Sequence, residues 1–221
     1  MLFDLRSRGR RRTVQVVYLG LALLMGGGLV LFGVGTGNGN GGLLNAFSGN
    51  GSSGAQSQAL SAAEKAAIRE TKLNPTSATA WAALVSARWD NASTGNNYDS
   101  ATNTFTASGK NELTAATSAW QRYLQLTKTP NANLAILAAR AYGALRNYSG
   151  EASAWAIQSA ANPGVAHGYE CLAASAFAAG QTREAELALN KALPLTPKLS
   201  RATIKAEIES AKTNPSIAAS C

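Results

Sequence analysis

The pattern of apolar and polar positions changes twice along this chain of 221 residues. From Val14 to Gly35 every residue is apolar or glycine, apart from Gln15 and the amphipathic Tyr18. About 22 such residues at ~1.5 Å each make a helix of about 33 Å, enough to cross a hydrocarbon core of ~30 Å. Residues 13–35 are therefore predicted to be a transmembrane helix. Residues 36–57 hold little to bury, chiefly Leu43, Leu44, Ala46 and Phe47, among glycine, serine and asparagine. That stretch cannot offset its ordering entropy and is predicted to be a flexible linker. Gly37, Gly39 and Gly42 fit G-x-G-x-x-G, but a dinucleotide site needs a strand before the motif and a helix after it.

From residue 58 to residue 213 alanine dominates, and strand-like alternation is scarce. The expectation is an all-α domain. Ser61-Ala-Ala-Glu64 reads as a capping box opening a helix that stops at Asn74-Pro75. Further helices are expected over 76–90, 111–128, 131–146, 151–161, 165–179, 183–194 and 197–213, with Thr182 capping the seventh. Residues 91–110 are polar and aperiodic, and are expected to form a long loop. A turn is expected over Asn147 to Gly150. Residues 214–221 are left as a tail.

The formal charge of +8 is uneven. Arg6, Arg8, Arg10, Arg11 and Arg12, against Asp4, supply half of it in residues 1–12. Cytoplasmic flanks carry the Lys/Arg excess, so the N-terminus is expected inside and the C-terminal domain extracytoplasmic, at the plasma (inner) membrane. The apolar run is too long for a cleaved signal peptide, and no A-x-A site follows it. No basic face recurs downstream, which argues against a nucleic-acid partner.

Candidate chemistry is sparse. Cys171 and Cys221 show no metal-ligand spacing. The terminal place of Cys221 favours two free thiols, although an extracytoplasmic disulfide remains open. No nucleophile, zinc or phosphate-loop motif is present, so no enzyme activity, cofactor, metal or small-molecule substrate is expected.

Two stretches recur. Pro75 precedes Trp81 and Leu84 as Pro163 precedes Tyr169 and Leu172. Tyr169, Leu172, Ala173, Gly180, Ala185, Leu189, Ala192 and Pro197 follow the spacing of a 34-residue helix–turn–helix unit. This resembles the tetratricopeptide repeat (TPR). The resemblance covers roughly residues 58–213, with three repeats and capping helices, the middle unit needing about two extra residues near Ser149-Gly150.

The resemblance implies an antiparallel helix-pair superhelix with a groove formed by the first helix of each repeat. Placed in register, those helices present Thr79, Ala82, Ser86 and Trp89, then Ala132, Ala135, Ala139 and Tyr142, then His167, Glu170, Ala174 and Phe177. Three aromatics at matching places suggest an apolar-lined groove for a peptide, although aromatics at helical spacing also serve as core. His167 and Glu170, one turn apart, are its candidate polar contacts. The implied function is a membrane-anchored scaffold binding a protein or peptide. The alternatives are a chaperone-like holder of unfolded or exported chains, and a structural subunit of an envelope or secretion complex.

Overall fold

A computed structural model describes residues 53–221, and these are all-α but for one two-stranded hairpin. The α-helices are α1 (Ser53–Leu73), α2 (Ala78–Ala92), α3 (Ala107–Leu126), α4 (Ala132–Ala144), α5 (Tyr148–Ala161), α6 (Ala166–Ala178), α7 (Thr182–Leu195) and α8 (Arg201–Ser210). The basic N-terminus, the expected transmembrane helix at 13–35 and most of the linker lie outside the described residues. Among the described residues no helix is long and apolar enough to cross a membrane.

Side-chain caps set four of the starts. Ser77, Thr106, Asn131 and Asn147 each accept a hydrogen bond from the backbone N–H three residues on. Each satisfies one of the orphan donors at its helix N-terminus, typically worth ~1 kcal/mol. Helix α1 begins at Ser53, inside the expected linker and eight residues before Ser61. Ser61 is therefore no cap, and Glu64 pairs with Arg88 instead. Thr182 is the first helical residue after Gln181, not a cap.

The later helices repeat with one fixed spacing. Ala132–Ala144 and Ala166–Ala178 begin and end 34 residues apart, as do Tyr148–Ala161 and Thr182–Leu195. No extra residues are needed at Ser149-Gly150. The turns match too. Arg146 (φ 57°) and Gly180 (φ 75°) both take the left-handed conformation. The next N–H closes each helix on the carbonyl five residues back, Asn147 to that of Tyr142 at 2.9 Å and Gln181 to that of Ala176 at 2.8 Å. The turn expected at 147–150 thus lies earlier, and Gly150 sits inside α5.

Consecutive helices pack in pairs, α2 with α3, α4 with α5 and α6 with α7, and α5 also packs on α6. Small residues make the approach possible. Ala139 and Ala173 are fully buried at matching places, as are Ala154 and Ala188 to within a few per cent. The first pair departs from the spacing because residues 93–106 are inserted. That insert carries a 3-10 turn (Gly95–Asn97) and the antiparallel strands β1 (Tyr98–Asp99) and β2 (Thr104–Phe105). It is more ordered than a polar loop because Phe105 seats against Trp89 and Tyr98.

Arg88 ties the front of the domain together. Its guanidinium lies 2.5 Å from Glu64 on α1 and 2.5 Å from Glu112 on α3. Asn91 adds a hydrogen bond to Glu64 at 2.7 Å.

The back of the domain differs from expectation. Pro197 precedes a 3-10 turn (Lys198–Ser200), and the helix starts only at Arg201. Arg201 donates to the carbonyls of Thr196 and Pro194, capping the end of α7. Leu199 is almost wholly exposed, whereas Ile208 is buried. Residues 214–221 are no free tail. Their 3-10 turn (Pro215–Ser220) packs back on α6 and reaches α4, and Cys221 is bonded to Cys171. The two thiols are therefore bridged, not free.

Candidate peptide-binding face

One open groove runs between α2 and α4, with a volume of about 670 Å³. Thr79, Ala82 and Ser86 come from α2, Leu134 and Leu137 from α4, and Tyr123 from the end of α3. Tyr123 is locked there, its hydroxyl accepting from the Asn131 backbone N–H at 2.9 Å. Asn131 and Asn133 stand exposed beside it. The lining thus combines aliphatic bodies with neutral hydrogen-bonding edges and no charged side chain. It suits an extended segment that offers backbone groups and small apolar side chains.

Of the expected groove residues, Ser86 lies in this groove. The three aromatics do not line it. Trp89 packs under the hairpin, in a small cluster with Leu113, Ala141 and Phe105. Tyr142 is 5 % exposed, with its ring over Gly150 and its hydroxyl accepting from Gln121 at 3.2 Å. Phe177 is 4 % exposed and capped by the Lys212 ammonium, 4.2 Å from the ring centroid. Nor are Tyr142 and Phe177 equivalent. At the observed spacing of 34, Tyr142 matches Ala176 and Phe177 matches Gly143. These rings fill interior space rather than a surface.

His167 and Glu170 serve other structures. The His167 ring is exposed, edge-on to Trp155 at 5.8 Å, with its nitrogens 3.7 Å from Cys171 Sγ. Glu170 accepts from the Thr196 hydroxyl at 2.9 Å and so ties α6 to the end of α7. Between α4 and α6 the expected concave positions Ala135, Ala139 and Ala174 are buried, in the same apolar cluster as Ala218. Arg6, Arg8, Arg10, Arg11 and Arg12 lie outside the described residues.

The sequence reading missed Glu151. It is 1 % exposed, in the first turn of α5. Its carboxyl lies directly beneath Gly143, about 3 Å from where a Cβ there would stand. Burial pushes this carboxyl up to about 8, with Ser175 and Trp155 pulling weakly the other way. Its Oε2 and the Trp155 Nε1 have no hydrogen-bond partner. The correct spacing exposes the anomaly, because Glu151 stands where the next pair carries Ala185.

Among the described residues no three His, Cys, Asp or Glu gather to hold a metal. The chain matches no family model, no curated protein and no solved structure.

Proposed function

We propose that this chain is a membrane-anchored, extracytoplasmic scaffold of TPR type that holds a protein segment in the α2–α4 groove. The observation that carries the reading is the 34-residue spacing of two complete helix pairs, both turns included. Stacked units of this length leave the first helix of each pair to form one long face, and such faces recognise peptides. The open stretch of that face is apolar at its base and neutral at its edges, which favours a defined segment over any unfolded chain. Burial of Tyr142 and Phe177, and the packing of Trp89 against Phe105, removes the sticky surface that a general holdase needs.

The placement outside the cytoplasm rests on the arginine cluster before the apolar run of residues 14–35. The Cys171–Cys221 bridge accords with it, since such bonds persist in oxidising compartments.

Crosslinking of the full-length protein in its own membranes, followed by capture, tests the proposal. One dominant partner that is lost when Leu137 becomes Arg is the expected result. A broad smear of exported proteins would replace the scaffold with a holdase. A dominant partner retained by the Leu137→Arg protein would move the interface elsewhere.

A further inference from the structure

The surface is open between α2 and α4 and occupied between α4 and α6. The occupant is the chain's own segment 211–221. Its 3-10 turn touches α6, α4 and α5. Ala211 and Ala218 are fully buried, and Ile217 and Cys221 pack against the main apolar cluster. Helices α4 and α6 make little direct contact of their own, so the segment fills the place between them.

The grip has an unusual composition. Residues 213–221 (TNPSIAASC) carry no charged side chain. Their hydrogen bonds run within the segment or back to Ser210, such as Ile217 N–H to Asn214 and Cys221 N–H to Ala218. Among the described residues none runs from 214–221 to α4, α5 or α6. Small apolar contacts, the Lys212 ammonium over the Phe177 ring and one covalent bond do the holding. Such contacts are individually weak, so the bond decides whether the segment stays.

The bond is placed to be broken from one side. Cys171 is fully buried, whereas Cys221 is partly exposed. A thiolate reaches the Cys221 sulfur, and Cys171 is the leaving group. His167, one turn earlier on α6, has its ring nitrogens 3.7 Å from Cys171 Sγ. The imidazole is the polar group beside the departing sulfur, and a better-stabilised leaving thiolate speeds exchange.

We propose that the α4–α6 face is a second peptide-binding surface, held shut by residues 211–221 and opened when a dithiol reductant breaks Cys171–Cys221. The reductant's first sulfur bonds to Cys221 Sγ as the S–S bond breaks, and Cys171 leaves as a thiolate that takes up a proton. The reductant's second thiolate then attacks its own mixed disulfide and releases the Cys221 thiol. Two electrons pass to the protein, and the dithiol ends as a disulfide. The vacated face takes a segment of the same chemistry as the one it releases, which is short, built of small residues and uncharged apart from one lysine.

The test uses the full chain, oxidised, reduced with dithiothreitol, and as Cys221→Ser. The probe is a labelled synthetic peptide of residues 211–221 with serine in place of the cysteine. Reduction and Cys221→Ser are expected to raise peptide affinity about ten-fold or more over the oxidised protein. Amide exchange over 214–221 is expected to accelerate by a similar factor, with α2 and α3 unchanged. His167→Ala is expected to slow reduction several-fold. Unchanged protection and no added peptide binding in both opened forms would overturn the proposal. So would collapse of the helical signal in Cys221→Ser, because the segment would then be core. An unaltered reduction rate in His167→Ala would remove His167 from the latch. None of these readouts uses the partner of the α2–α4 groove, so either idea can fail alone.

Discussion

Glu151 and Ala185 occupy the same place in successive helix pairs, 34 residues apart, and both are buried. Room for the larger side chain comes from the facing helix, where Gly143 stands opposite Glu151 and its counterpart in the next pair is Phe177. Volume has moved from one helix to the other. The exchange leaves an ionisable group inside.

That group makes stability depend on pH. The Glu151 carboxyl titrates near 4.5 when exposed and at about 8 when folded. Between those values the unfolded chain has lost the proton and the folded chain keeps it. Folding then takes up a proton, so stability is full below about pH 4.5 and falls as pH rises towards 8. At ~1.36 kcal/mol per unit the complete loss is on the order of 4–5 kcal/mol. Urea unfolding from pH 5 to pH 9 should show this decline, and Glu151→Gln should flatten it. An equal decline in both proteins would place the titrating group elsewhere.

Gly150 marks a close approach. A Cβ there would stand 2.6 Å from the Tyr142 ring, which is itself enclosed. Gly150→Ala should cost about 1–3 kcal/mol through overpacking, despite the better helix propensity of alanine. In a Tyr142→Ala background most of that cost should vanish. Additive losses in a double-mutant cycle would show that the ring is not the obstacle.

Arg88 separates two carboxylates. Burial holds Glu64 above the usual carboxylate range, while Arg88 pulls it down and Glu112 pushes it up. Removing the guanidinium as Arg88→Met should destabilise by ~2 kcal/mol, since the pair is only partly screened by water. Adding Glu112→Gln should recover part of the loss. Thermal unfolding of the single and double variants checks this, and no recovery would mean that the two carboxylates do not oppose each other.

The Cys171–Cys221 bridge closes a loop with a sequence separation of 50. Chain-entropy arguments give such a bridge about 4 kcal/mol, most of it acting on the unfolded state. Reduction should therefore lower the melting temperature clearly while leaving helical circular dichroism at room temperature nearly unchanged. A loss of helix in parallel with reduction would show that α6 depends on the bridge.

The helices themselves were legible in the sequence, because an alanine-rich chain punctuated by Pro75, Pro130 and Pro163 admits little else. The alignment of one pair on the next was not. A glycine announces the left-handed turn at Gly180, but at the matching turn Arg146 takes that conformation without any cue. Ser149-Gly150 imitates a turn, and reading it as one shifted the second pair. The shift brought Tyr142 into false register with Phe177 and hid Glu151 opposite Gly143. Helix α2, where Ser86 lines the α2–α4 groove, has no such decoy. The Cys171–Cys221 pair was the one cue in the sequence to the docking of 214–221, and it left the bridge open. A segment of small residues held by one bond has neither period nor charge to reveal it.

The central claim is that a partner segment lies in the groove between α2 and α4. A photo-crosslinking side chain placed at Asn133, on the groove's edge, and separately at the exposed Ser153 on α5 tests it in the full chain in its own membrane. One discrete adduct is expected from Asn133 and none from Ser153. Equal adducts from both positions, or an adduct from Ser153 alone, would contradict it.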